Sequence, residues 1–121
     1  MKLAIVGSRT FTNYLFFKRV LSKKFHLYNI DCIISGGAGG VDTLAETFAD
    51  MYDIPKKIFY PKWAIHGKQA GFIRNEYIIG DSDEVIAFWD GKSKGTKNSI
   101  DIAKRLRKKL YIIYIKGENN E

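Results

Sequence analysis

The chain passes from a strand to a helix through a glycine-rich turn at residues 32–45, which read CIISGGAGGVDTLA. The run Cys32–Ser35 predicts a short buried strand, and the residues after Gly40 repeat apolar side chains at helical spacing. Glycine allows close approach of the backbone and positive φ, while a helix N-terminus offers unpaired N–H groups and the positive end of its dipole. The turn is therefore a candidate phosphate cradle.

The same alternation of strand and helix continues along the chain. Apolar runs predict strands at residues 2–7, 32–35, 57–60, 84–89 and 110–115. Helical spacing predicts helices between them, the first capped by Asn13, the second from Val41, the third around residues 69–80 and the fourth through Ile100, Ala103, Leu106 and Leu110. The predicted order is β-α-β-α-β-α-β-α-β.

This alternation predicts the fold class and the place of a ligand site. Right-handed crossovers favour a single Rossmann-like α/β domain, with a five-stranded, mostly parallel sheet in the order 3-2-1-4-5 and helices on both faces. Ligands of such sheets bind at the carboxyl ends of the strands, where the strand order reverses. The loops after strands 1, 2 and 4 are therefore expected to converge on one crevice. They carry Gly7-Ser8-Arg9, the turn at 36–40, and a second glycine-bearing turn at 90–96.

Length and composition limit the other classes of protein. The 121 residues suit one domain, predicted as residues 1–116 with 117–121 as a flexible tail, and the 45% hydrophobic content is enough for a core. No apolar run reaches the length of a membrane span, and no signal-peptide core follows Met1. We expect a cytoplasmic protein with no membrane partner. The oligomeric state stays open, a homo-oligomer included.

Positive charge is concentrated near the end of the chain. The formal net charge is +7, and between Lys92 and Lys109 the basic residues are opposed by Asp101 alone. One interpretation is a solvated helix end favoured by the helix dipole, and the other is a nucleic-acid footprint. Charge of this kind predicts weak, nonspecific, salt-sensitive binding to nucleic acid.

Several common sites are absent from the sequence. The first loop, Gly7-Ser8-Arg9-Thr10-Phe11, lacks the dinucleotide pattern G-x-G-x-x-G, and neither glycine-rich turn ends in the Gly-Lys-Ser/Thr of a Walker A loop. His26, His66 and one cysteine offer no metal-ligand spacing. We therefore predict neither a metal site nor a cofactor.

A set of motifs, in order along the chain, resembles a known family. They are Gly7-Ser8-Arg9-Thr10-Phe11, residues 35–45, Pro61-Lys62-Trp63, residues 67–71, Arg74-Asn75 and residues 85–96. From residue 3 to about residue 104 the chain is similar to the YspA, cpYpsA-related branch of the SLOG superfamily, many members of which occur in bacteria and their phages. The superfamily takes its name from the Smf/DprA and Lonely Guy (LOG) proteins. The resemblance implies a Rossmann-like fold and nucleotide or nucleotide-derived ligands.

The resemblance also implies which residues contact the ligand. Arg9 would hold a phosphate, although it could instead pair with Asp42 or Asp90. Asp42 would accept a hydrogen bond from a ribose hydroxyl or act as a helix cap. Trp89 would stack on a base or belong to the core. The implied ligand-binding set is Gly7, Ser8, Arg9, Ser35, Gly36, Gly37, Gly39, Gly40, Asp42, Arg74, Asn75, Trp89, Ser93, Gly95 and Thr96.

One departure from the family bears on catalysis. Arg74 matches the arginine that Lonely Guy phosphoribohydrolases use with a downstream glutamate to release a base, but here Ser99 stands where that glutamate is expected. Without this carboxylate a developing ribosyl cation is not stabilised, unless Glu76 or Asp42 takes its place. Arg74, Glu76 and Asp42 are therefore the catalytic candidates, and whether the protein is an enzyme stays open.

Three functions follow from these observations. The leading hypothesis is a module that binds a nucleotide or nucleotide-derived small molecule as a sensor, carrier or sequestering protein. The first alternative is a nucleotide-processing hydrolase, such as a nucleoside-monophosphate phosphoribohydrolase. The second is single-stranded nucleic-acid binding of the DprA kind.

Overall fold

One parallel sheet organises the computed structural model, which describes residues 1–116. Its strands are β1 (Lys2–Gly7), β2 (Cys32–Ser35), β3 (Lys56–Ile58), β4 (Glu84–Trp89) and β5 (Lys109–Tyr114), in the order β3-β2-β1-β4-β5. All four pairings are parallel. The predicted fold class and strand order are confirmed, and the predicted tail at 117–121 lies outside the described residues.

Helices cover both faces of the sheet. Successive side chains of the central strands point to opposite faces, so each face presents apolar side chains to helices. Leu3 and Ile5 of β1 pack with α1 (Tyr14–Lys24) and α2 (Val41–Met51), whereas Ala4 and Val6 pack with the helices of the opposite face. These are α4 (Ala70–Gly80) and α5 (Lys94–Arg105), and the one-turn helix α3 (Trp63–His66) precedes α4. Among residues 1–116, no helix combines the length and the apolar character that crossing a bilayer requires.

Several boundaries differ from those predicted. The segment before α4, predicted as a loop, contains α3 and a 3-10 turn at Gly67–Gln69. Helix α5 begins earlier than its apolar stripe, because Ser93 caps it by accepting a hydrogen bond from the N–H of Thr96 (3.4 Å). It ends at Arg105, although Leu106 and Leu110 were predicted as helical, since Arg107 has a positive φ of 56° and Leu110 already belongs to β5.

The junction between β1 and α2 fixes the first loop of the carboxyl edge. The N–H of Val41 donates to the carbonyl of Ser8 (3.0 Å), so the end of β1 lies directly on the start of α2. A Cβ at Gly40, whose φ is +62°, would lie 2.3 Å from the Ser8 carbonyl oxygen. Glycine is required here for contact between two backbone segments. This contact sets the position of Arg9.

Candidate functional site

A cavity of about 400 Å³ opens at the carboxyl edge of the sheet. The predicted convergence of the loops after β1, β2 and β4 is present, and α4 supplies the fourth side. The lining residues are Val6, Gly7, Ser8, Arg9, Thr10, Ala38, Asp42, Arg74, Asn75, Ile78, Asp90, Ser93, Gly95, Thr96 and Ser99.

The predicted ligand-binding set divides into two groups in the structure. The residues brought together on the cavity wall are Gly7, Ser8, Arg9, Asp42, Arg74, Asn75, Ser93, Gly95 and Thr96. The residues that do not line it are Ser35, Gly36, Gly37, Gly39, Gly40 and Trp89.

Three glycines of the turn, which the sequence predicted as a phosphate cradle, lie close to other atoms of the chain. A Cβ at Gly36 would lie 2.6 Å from the Arg74 guanidinium, and one at Gly37 would lie 2.4 Å from the Tyr60 ring. Gly40 meets Ser8, as described above. Close packing within the chain therefore requires glycine at positions 36, 37 and 40, and of residues 36–40 Ala38 lines the cavity. A phosphate cradle at this turn stays a prediction.

Trp89 is also placed away from the cavity. Its indole N–H donates to the carbonyl of Ser93 (3.1 Å), and its ring lies 5.9 Å from the ring of Tyr114. This tryptophan supports the loop that carries the Ser93 cap. The prediction that it stacks on a base is not supported by its position.

Arg74 is a mostly buried residue of the cavity wall and holds several segments together. Its Nε donates to Oδ1 of Asn75 (3.1 Å), while Nη1 donates to the carbonyls of Gly36 and Phe59. Burial lowers the pKa of the guanidinium, the charge of Asp42 opposes that shift, and the charge of Arg9 adds to it. Since a guanidinium stays protonated in proteins, Arg74 contributes a buried positive charge to the site.

Asp42 is a nearly buried carboxylate on the same wall. Its Oδ2 accepts a hydrogen bond from the N–H of Ala38 (3.0 Å). Burial raises the pKa of Asp42, and the Ala38 N–H and the charge of Arg74 offset only part of that shift. The fully buried Ser35 hydroxyl lies close enough to favour the charged form of Asp42 but makes no hydrogen bond of standard geometry.

Replacing Asp42 with asparagine is expected to change how stability depends on pH. An acid whose pKa is raised on folding stabilises the folded state most when it is protonated. This stabilisation is lost as the pH rises from the ordinary pKa of 3.8 through the raised pKa of the folded state. Asp42→Asn, which keeps an acceptor for Ala38, should therefore gain stability over the wild type at neutral pH and lose that advantage near pH 3.8. Urea unfolding across this pH range measures the difference, and a difference independent of pH would contradict the expectation.

Asp90 holds the backbone of the loop between β4 and α5. Oδ1 of Asp90 accepts hydrogen bonds from the N–H groups of Lys92 and Ser93, both at 2.8 Å, and these bonds lower the pKa of Asp90. The N-terminus of α5 follows directly, with Ser93, Gly95 and Thr96 on the cavity wall. Positive helix-dipole charge therefore points toward the cavity.

Arg9 is the exposed cation of the cavity. Within residues 1–116 it forms no ion pair, so the alternative that it pairs with Asp42 or Asp90 is not observed. Its backbone is held against Gly40, while its side chain lines the wall with Arg74. Two cations and a helix N-terminus thus share one cavity, an arrangement suited to an anionic ligand.

The catalytic candidates are not all at the cavity. Glu76 is exposed and bound by Arg105, whose Nη2 lies 2.7 Å from both carboxylate oxygens, and it does not line the cavity. Asp42 does line it, as does the buried Ser99, which stands at the position where the resemblance implied a glutamate. Of the two carboxylates predicted as substitutes, only Asp42 is in place. No group of three or more metal-ligating side chains occurs in the described chain.

A neighbouring groove adds residues that were not in the predicted ligand-binding set. It has a volume of about 210 Å³, shares Arg9, Arg74, Asn75 and Gly95 with the cavity, and adds Trp63, Lys68, Gly71 and Phe72. Trp63 is 55% exposed and Phe72 is 43% exposed. The signal in the sequence was aromatic residues interleaved with lysine. Because the segment before α4 was predicted as a loop, the sequence did not show that these residues lie in one groove.

Comparison with known proteins gives three matches. Residues 1–55 match the family described as DNA recombination-mediator protein A. The chain is 28% identical to the Gene 61 protein of Mycobacterium phage D29, over 86% of this chain and 89% of that protein. Its fold is shared with DNA processing protein A from Helicobacter pylori, which was solved to explain its single-stranded DNA binding mode, with a TM-score of 0.71 and 24% identity.

The matches cover different parts of this chain and of its relatives. The structural match covers 93% of this chain, which spans 64% of the Helicobacter pylori chain. The structural match, at 24% identity, shows a shared fold, and the family match is limited to residues 1–55. The narrower resemblance to the YspA branch stays a prediction.

Proposed function

We propose that the protein binds single-stranded nucleic acid, with a backbone phosphate in the cavity and an unpaired base in the neighbouring groove. One observation carries the proposal: the exposed aromatic rings of Trp63 and Phe72 adjoin a cationic cavity, and Arg9 lines both spaces. Proteins that bind single strands combine a positive path for the backbone with aromatic rings on which bases stack.

The phosphate subsite rests on Arg9 and the start of α5. Arg9 has no acid partner among the described residues, so its guanidinium is available for two hydrogen bonds to a phosphate. The hydroxyls of Ser93 and Thr96 lie on the same wall. Arg74 on the same wall adds positive potential, while its Nε and Nη1 bind groups within the chain.

The base subsite rests on Trp63 and Phe72. Trp63 lies beside α4, since a Cβ added at Gly71 would be 3.9 Å from its ring. Lys68 lines the same groove. Stacking on an exposed ring contributes about 1–3 kcal/mol per base, since every base has a π face.

The comparisons support this function over the alternatives. The Helicobacter pylori relative was solved to explain single-stranded DNA binding. The segment matched by the DNA recombination-mediator family includes Arg9 and Asp42 of the cavity.

A free nucleotide or nucleotide-derived ligand is the second candidate, in a sensor, carrier or sequestering role. The observation that favours it is the volume of the cavity, about 400 Å³, which falls within the usual range of about 300–1,000 Å³ for small-molecule sites. Such a ligand would use Arg9 and the start of α5 without needing the exposed rings. Efficient base release is not expected from this site, because Ser99 cannot stabilise positive charge as a carboxylate does.

Fluorescence anisotropy with labelled deoxythymidine oligonucleotides tests the proposal. Arg9→Ala should weaken binding by about 10- to 100-fold, as expected for the loss of a charge-assisted contact of about 1.5–3 kcal/mol. Trp63→Ala should weaken it by about 10-fold or more through lost stacking. Tyr28→Ala is the matched control, because Tyr28 is 90% exposed and lies outside both the cavity and the groove.

Intrinsic fluorescence gives a second readout. The chain contains two tryptophans, so Trp89→Phe leaves Trp63 as the single reporter. Oligonucleotide binding should quench it. Mononucleotides that bind as tightly as oligonucleotides, with Trp63→Ala having no effect, would favour the second candidate.

A further inference from the structure

We propose that the outward face of α5 is a track for the backbone of a bound single strand, leading from the cavity toward the opposite edge of the sheet. The inference rests on the proposed function. We define the α5 track as Lys94, Lys97, Lys104 and Arg107, all of which are exposed. It extends the binding site beyond the cavity and the aromatic groove.

The course of α5 makes the track continuous with the cavity. Thr96 and Ser99, near the start of the helix, line the cavity, and Arg105 ends the helix just before β5 begins at Lys109. Twelve helical residues span about 18 Å. Lys94, Lys97 and Lys104 are three and seven residues apart, so they share one face while the buried residues of α5 pack on the sheet.

The acids beside this face are already engaged. Asp101 pairs with Lys97 at 2.9 Å, and Glu76 of α4 is held by Arg105. Within residues 1–116, Lys94, Lys104 and Arg107 form no ion pair. The positive charge of the track is therefore available to an external anion.

Arg107 lies just after the end of α5, at a position where the backbone conformation favours glycine. It follows the end of α5 with φ of 56°, and the N–H of Lys108 closes the helix by donating to the carbonyl of Ala103 (2.9 Å). Glycine is the residue favoured at this position of a helix end. Asp53 has the same conformation after α2, but aspartate tolerates it better than most side chains do. The arginine therefore adds a charge at the cost of backbone strain.

The chemistry of this face suits a phosphate backbone. Its exposed side chains within α5 are polar or charged, and the partly exposed Leu106 just after the helix is the one apolar side chain between Lys104 and Arg107. A line of cations that begins at a phosphate subsite matches the regular charge of a single strand.

Comparing short and long oligonucleotides tests the track. The variant Lys94→Gln/Lys104→Gln/Arg107→Gln should bind an oligonucleotide of about 4 nucleotides as the wild type does, because the cavity and groove are intact. It should bind one of about 16 nucleotides about 10-fold more weakly at low salt, and the plot of log affinity against log salt should be shallower by about 2. The control Arg19→Gln/Lys23→Gln/Lys24→Gln removes the same charge from α1 on the opposite face.

The outcomes separate the track from the proposed function. Wild-type affinity of the track variant for both lengths would overturn the track and leave the proposed function standing. An equal loss in the α1 control would also overturn it, since the effect would then come from net charge alone. If the wild type binds neither length, the proposed function itself fails.

Arg107→Gly adds a test in which stability and binding change in opposite directions. Relief of the positive φ should raise the melting temperature by a few degrees. Affinity for the long oligonucleotide should nevertheless fall. A more stable variant with unchanged affinity would remove Arg107 from the track.

Discussion

Replacing Gly40 with alanine is expected to lower the free energy of unfolding by about 3–5 kcal/mol, the sum of backbone strain and overpacking. The φ of +62° is unfavourable for any residue with a Cβ, and that atom would lie 2.3 Å from both the Ser8 carbonyl oxygen and the Arg9 carbonyl carbon. These are backbone atoms, so no side-chain rotation relieves the clash. Urea unfolding monitored by circular dichroism measures the loss.

Gly80→Ala is the matched control for this substitution. Gly80 ends α4 with open space around its Cα, and its φ is not positive. Alanine there should leave stability unchanged or raise it by up to about 1 kcal/mol, because the unfolded chain loses freedom. Similar losses in the two variants would show that the β1–α2 contact does not depend on glycine. The Gly40 variant should also bind oligonucleotides poorly, because the contact positions Arg9.

Replacing Arg74 with alanine is expected to cost about 2–4 kcal/mol of stability, since buried partners lose their charged donor. The carbonyls of Gly36 and Phe59 would be left without this donor, and Asp42 would lose the positive charge that offsets its burial. The loss should be smaller in the Asp42→Asn background, where no buried negative charge remains. Urea unfolding of the two single variants and the double variant measures this coupling.

The two arginines of the cavity should therefore behave differently. Arg9→Ala should reduce binding with little change in stability, because Arg9 is exposed. Arg74→Ala should reduce both, and its binding should be measured where the variant remains folded. A stability loss below about 1 kcal/mol for Arg74→Ala would contradict a bracing role for this side chain.

Much of the fold could be predicted because its signals are local. The limits of β2 and β4 agree with the apolar runs, and Asn13 caps α1 as expected, with its Oδ1 accepting from the N–H of Phe16. The location of the cavity could be predicted, since parallel strands bring their carboxyl ends to one edge of the sheet. The end of α5 was predicted wrongly, because the positive φ of Arg107 leaves no signal in the spacing of apolar residues.

The roles of individual residues were less predictable. A glycine needed for contact with another backbone segment looks the same in the sequence as one needed for contact with a phosphate, and Gly40 is of the first kind. Glu76 was a plausible catalytic residue until its distant partner Arg105 was known. Lys68 and Phe72 could not be assigned to a site because nothing local shows that their segment folds beside Arg9.

The central position of β1 has a consequence for the order in which the chain assembles. β1 pairs with β2 on one side and with β4 on the other, and Leu3 lies opposite both Ile33 and Glu84. Residues 1–55, the part matched by the DNA recombination-mediator family, therefore contain one neighbour of β1 and lack the other. During synthesis the second edge of β1 and one face of the sheet stay uncovered until β4 and α5 have left the ribosome. The cavity, which needs α5 for one wall, cannot be complete before α5 has been synthesised.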